Sequence, residues 1–246
     1  MRELDRTPSA LPSRCAIVGA GRLGHALGAA LTTAGVAVEG PLGRGAEPAE
    51  DVVLLCVPDG EIAAAAAALA PRPGRLVGHC SGATTLEVLA PHEAFSLHPL
   101  MTVPEGGAAR FAGAGCAVAG ASPAALEAVR GLAGALGMRA VEVADEDRAA
   151  YHAAASIAAN FLVTLEGAAE RLAATAGVDR ALLLPLARAA LENWGAQGAE
   201  RALTGPVARG DEATVARQRA AVAERAPDLL EVFDALVAAS RVLVAA

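Results

Sequence analysis

Apolar positions fall into short runs over the first half of the chain and into longer, helix-spaced stretches after about residue 144. Arg14–Val18, Val36–Leu42, Asp51–Val57, Leu76–Cys80, Phe95–His98, Gly115–Ala119 and Arg139–Val143 read as strands. The continuous run in Asp51–Val57 is typical of a strand covered on both faces. Helices are expected between the strands at His25–Ala34, Glu61–Ala70 and Pro123–Leu136. Strands alternating with helices predict an α/β fold built on a doubly wound parallel sheet. Beyond Val143 no strand-like run follows. Asp145-Glu146-Asp147 is an acidic helix start, leading into a helix that runs to about Ala176. Asp179 can cap a second helix, disturbed or kinked by Pro185. A third is expected over Glu212–Arg225, with Asp211 as its cap, and a last one begins at Pro227. The division is therefore a flexible N-terminus at residues 1–13, a sheet domain at 14–144 and an all-helical domain at 145–246.

Composition narrows the class. Of 246 residues, 54% are hydrophobic, too many for a disordered chain, and mean hydropathy is +0.41. The longest apolar run, Ile62–Ala70, is nine residues, against the roughly 20 that a spanning helix needs. Met1–Ser13 has no apolar core, so no secretory signal is expected, and the reading is a soluble cytoplasmic protein. Twenty basic residues against 27 acidic ones leave a net charge of −7, which excludes a basic nucleic-acid footprint. Every one of the basic residues is arginine. Without lysine, a lysine Schiff base or a lysine general acid is excluded. Cys15, Cys56, Cys80 and Cys116 show no CxxC spacing and read as buried reduced thiols, with no metal site expected.

The first chemical motif is Gly19-Ala20-Gly21-Arg22-Leu23-Gly24, between a strand and a helix. Gly19 permits the tight turn, Gly21 lets backbone approach a diphosphate, and Gly24 lets helix pack on strand. The following helix N-terminus offers free amides to phosphates. Glu39 has the usual spacing for an acid on the ribose 2′-hydroxyl, yet the strand continues through Leu42 and leaves it in mid-strand. Arg44 is then placed to meet a 2′-phosphate, which favours NADP over NAD. Val57-Pro58-Asp59, Ser81 and His98 stand at strand ends, where open α/β sheets bind ligands. Trp194, the single tryptophan, reads as core on a helical stripe.

Taken with Ser96-Leu97-His98-Pro99-Leu100, Ser81-Gly82, Tyr151-His152, Asn160 and Thr204–Asp211, these motifs resemble a Rossmann-like family carrying a C-terminal domain of unknown function. The resemblance covers residues 14 to 246. That family is similar to deazaflavin-dependent NADP reductases, pyrroline-5-carboxylate reductases and 6-phosphogluconate-dehydrogenase-type enzymes, and some members act as an alternative ketopantoate reductase. It implies a dinucleotide-binding domain at 14–144 and a helical substrate and dimerisation domain at 145–246. It also implies NADP as cofactor, a homodimer, and reduction of a small carbonyl compound, such as a 2-oxo acid, or an imine. Relatives place catalytic groups on the first long helix after the sheet, often including a lysine. Here His152, Ser156 and Asn160 recur at intervals of four, along one helix face. His152 then takes the proton-donor position, with His98 as a second candidate. The alternative is a non-catalytic NADP-binding regulatory or scaffolding protein, since the fold alone does not separate the two.

Overall fold

The computed structural model describes residues 11–105 and 109–245. The flexible N-terminus expected at residues 1–13 lies mostly outside the described residues. The chain packs as two compact units, Met1–Ala159 and Asn160–Ala246.

In the first unit, β1 (Arg14–Val18) leads into α1 (Arg22–Thr33), β2 (Ala37–Leu42), β3 (Val52–Leu55), α2 (Ile62–Ala67) and β4 (Leu76–His79). It continues through β5 (Glu93–Leu100), β6 (Gly115–Gly120), α3 (Pro123–Ala135) and β7 (Arg139–Glu142) to α4 (Arg148–Ser156). One seven-stranded sheet results, in the order β2-β1-β3-β4-β5-β6-β7. Successive side chains along a strand point to opposite faces, so each strand feeds two cores. Cys15, Ile17 and Leu54 pack with Leu27 and Leu31 of α1 and Leu132 of α3. Ala16, Val18 and Val53 pack on the other face with Ile62 and Ala66 of α2. That double coverage is why β3 is buried at all four positions.

The sheet departs from all-parallel in one place: β6 runs antiparallel to β5. A parallel connection needs a crossover, usually a helix, and among the described residues no helix lies between Leu100 and Gly115. β5 is also longer than expected, because it continues through Pro99 to Leu100. β4 pairs with β5 only as far as Ser96. Beyond that point β5 has a partner on one side alone, the edge setting in which strands accept proline. His98 therefore sits within a strand, on a segment that overhangs the end of β4, rather than at a strand terminus.

After α4 the helix widens into a π turn at Ile157–Phe161 and resumes as α5 (Leu162–Ala174). The second unit continues with α6 (Arg180–Gln197), α7 (Ala199–Ala202), α8 (Glu212–Arg225) and α9 (Leu230–Ala245). Asp179 caps α6 by accepting from the Ala181 amide at 2.7 Å, and α6 runs through Pro185 without a break. Asp211 caps α8 by accepting from the Thr214 amide at 3.0 Å. Val215 and Val222 of α8 are buried, whereas α5, α6 and α9 bury no residue. Trp194, expected in the core, is 57% exposed. It ends an α6 stripe of Leu182, Leu186, Ala190 and Trp194 at spacing four, and every member of that stripe is exposed. No helix among the described residues is long and apolar enough to cross a membrane.

Candidate active site

The glycine turn has the shape that its spacing demands. Gly19 has φ +118°, and a Cβ there would run into the carbonyl of Cys56. A side chain at Gly24 would collide with the Gly19 carbonyl, so helix and turn can close only on glycine. Gly21 is the reverse case: apart from its own neighbours along the chain, no atom lies within 4 Å of where its Cβ would stand. That open face, with no acidic residue in the first turn of α1, leaves the helix N-terminus free to receive an anion. Ala20, Gly21 and Arg22 begin a groove of about 1060 Å³ that runs along α1 past His25 to Phe111 and Leu136. Arg44 follows β2 in a turn and is exposed, but its guanidinium is paired with Glu61 at 2.7 Å. Glu39 lies within β2 and accepts from the Ala49 amide at 3.1 Å.

A polar cluster forms beyond the carboxyl ends of β3 and β4. Pro58 begins a turn, with Asp59 in its first position. The Ser81 hydroxyl donates to Asp59 Oδ2 at 2.7 Å, stands 2.9 Å from the Thr84 hydroxyl, and accepts from the Thr84 amide at 3.0 Å. His79 is fully buried behind it. Its Nδ1 accepts from the Ser81 amide at 3.2 Å, and its Nε2 faces the Thr85 carbonyl at 3.4 Å. Burial, then the nearby Arg148, lowers the His79 pKa to about 4.

The two candidate histidines come together. His98, on β5, and His152, on α4, have ring centroids 6.2 Å apart at an interplanar angle of 70°. Gly82 fits between them: a Cβ there would stand 2.8 Å from His98 Cε1 and 3.0 Å from His152 Cδ2. The phenol of Tyr151 lies 2.8 Å from His98 Nδ1. Burial, then His152, lowers the His98 pKa to about 4, and burial raises Tyr151 to about 12. α4 is fastened to the sheet by Arg148, 2% exposed, which reaches Ser96 Oγ at 2.7 Å and Asp145 Oδ1 at 2.6 Å. Cys56 and Cys80, with sulfurs 3.7 Å apart, join this cluster to the glycine turn. Ser156, half-buried, lies one turn beyond His152 at the end of α4, and Asn160 is exposed within the π turn and opens the second unit.

Sequence reasoning did not find Gly82 as the slot between the histidines, Arg148 as the anchor of α4, or Tyr151 as the partner of His98. The signal for Tyr151 was its place beside His152. The other two depend on folding: Gly82 meets His152 70 positions on, and Arg148 reaches Ser96 52 positions back.

Residues 114–240, just over half of the chain, match the family described as a domain of unknown function (DUF2520). The chain belongs to the DUF2520 family. Residues 41–104 also match a Rossmann-like domain. The DUF2520 chain thus draws its site from both matched segments, Ser81, Gly82 and His98 from one and Arg148, Tyr151 and His152 from the other. No curated protein matches it. Among solved structures it is similar to a candidate NADP oxidoreductase, BF3122, from Bacteroides fragilis, at 18% identity and a TM-score of 0.80, covering 94% of this chain and 98% of that one. The pyrroline carboxylate reductase of Plasmodium falciparum with NADP bound gives 11% identity and a TM-score of 0.58, over 97% and 100% of the two chains. A reductive aminase from Aspergillus terreus, in complex with NADPH and ethyl-5-oxohexanoate, gives 16% and 0.64, over 94% and 95%. At these identities the likeness is one of fold.

Proposed function

We propose that this chain is an NADP-dependent oxidoreductase that reduces a small carbonyl compound, a 2-oxo acid such as ketopantoate, or an imine. The observation that carries the reading is the His98–His152 pair around Gly82, joined through Ser81, Cys80 and Cys56 to a glycine turn shaped for a diphosphate. The open face of Gly21 and the uncapped start of α1 fit a dinucleotide, and they would hold its diphosphate. Arg44 would meet a 2′-phosphate by exchanging Glu61 for it, a charge-assisted pair in either case. Bound there, NADPH supplies the hydride. His152 would donate the proton that the carbonyl oxygen needs as the double bond is lost. Ser81, which donates to Asp59 and accepts from the Thr84 amide, would fix the turn that carries Gly82.

The helical unit supports a homodimer. Its exposed stripe on α6, with Val163 of α5 and Val242 of α9, is apolar surface that a second copy would cover. Four free cysteines agree with a reducing compartment such as the cytoplasm. The function is tested by following NADPH oxidation over a panel of 2-oxo acids, ketopantoate among them, and cyclic imines. Turnover of one class above the others supports the reading. No turnover of any, with NADPH bound, leaves the non-catalytic binding protein in its place.

A further inference from the structure

Tyr151 and His98 meet through one hydrogen bond, and its direction decides what His98 can do. A phenol is the better donor of the two, and an imidazole nitrogen the better acceptor. Burial keeps the proton on Tyr151 and keeps His98 neutral, so at ordinary pH one ring nitrogen accepts and the other holds the only ring proton. Nδ1 is the atom that faces the phenol. The proton then resides on Nε2, and only the missing side chain at Gly82 keeps it clear, since a Cβ there would stand 3.0 Å away. No acceptor among the described residues hydrogen-bonds to Nε2, and it is not among the buried unpaired atoms. The Nε2 donor is thus left without a partner among the described residues.

We infer that Tyr151 is a positioning residue that holds His98 in the Nε2-protonated tautomer, so that His98 meets the substrate's carbonyl oxygen as a neutral hydrogen-bond donor beside Gly82. Calling that oxygen the substrate's rests on the reductase reading; the tautomer does not. Hydride adds to the carbonyl carbon, the π electrons move to oxygen, and oxygen takes its proton from His152. His98 keeps its own proton throughout and stabilises the charge as it forms. The titratable and charged groups facing His98 are Asp59 after β3, His79 of β4, Cys116 of β6, and Arg148, Tyr151 and His152 of α4. Asp59 favours the charged ring, whereas Arg148, His79 and His152 oppose it.

Imidazole nitrogen NMR on the full chain tests this without any substrate, and five histidines make assignment tractable. The expected wild-type result is His98 protonated at Nε2 and bare at Nδ1 from about pH 5 to pH 8. Tyr151→Phe should give a mixture of tautomers at His98. In NADPH-dependent reduction of ketopantoate the same variant should lose about tenfold in kcat, with KM for NADPH within a few-fold. A wild-type ring protonated at Nδ1, an imidazolium near neutral pH, or an unchanged tautomer in Tyr151→Phe overturns the inference. If the wild-type chain turns over no substrate, the reductase reading fails, while the spectrum still decides the role of Tyr151.

Discussion

Arg44 and Gly82 show how much a single position can ask of its surroundings. Gly82 is glycine because two histidine rings occupy the space a methyl group would need. Arg44 carries its charge into a pair with Glu61 that is exposed on both sides, and such pairs contribute only about 0–1 kcal/mol. That weakness lets the guanidinium leave Glu61 for a doubly charged 2′-phosphate. Arg44→Ala should therefore weaken NADP binding about tenfold or more and leave NAD nearly unchanged, since a hydrogen bond to a charged group contributes roughly 1.5–3 kcal/mol. Titrations of both cofactors read this directly, and equal losses for the two would sink the role. The position of Arg44 just after β2 was legible in the sequence, but Glu61 as its partner was not, because the two meet only once β2 and the turn before α2 are folded.

Element boundaries were most legible where local chemistry decides them. Asp211 and the helix Glu212–Arg225 follow from the cap, and β1 from an apolar run stopped by glycine. The direction of β6 was not legible, because it depends on which neighbour it pairs with, and His98 shifted from strand end to strand interior for the same reason. β4 has a consequence for stability. It ends at His79, held neutral in the fold with a pKa of about 4 against about 6.5 when unfolded. Between those values the unfolded chain binds the extra proton, so stability should fall as pH drops from about 6.5 towards 4 and rise again with pH. His79 alone contributes up to about 3 kcal/mol to that total change, and His98 acts with the same sign. Urea midpoints at pH 7 and pH 4.5 check this: a flat profile would mean that His79 is hydrated or paired in a way its burial does not allow.

At the scale of the whole molecule, the loss of strand pattern after Val143 puts the start of the helical part at residue 145, whereas the compact units divide between Ala159 and Asn160, because α4 is fastened to the sheet through Arg148 and Ser96. The fate of the helical stripes could not be read from the sequence, because apolar spacing says that a face is covered without saying by what. Trp194 is the case in point, read as core and found at the surface of the single chain. Light scattering at micromolar concentration should give twice the 24.4 kDa chain mass, and Leu186→Arg on the α6 stripe should return it to the single-chain value. A wild-type monomer would leave those faces to another partner. Whether His152 donates the proton in an NADPH-dependent reduction is decided by the kcat of His152→Ala against wild type on the preferred substrate. A loss of roughly 10²–10⁴-fold is expected, with NADP affinity within a few-fold; a variant that keeps its kcat while binding NADP normally would take the proton transfer away from His152.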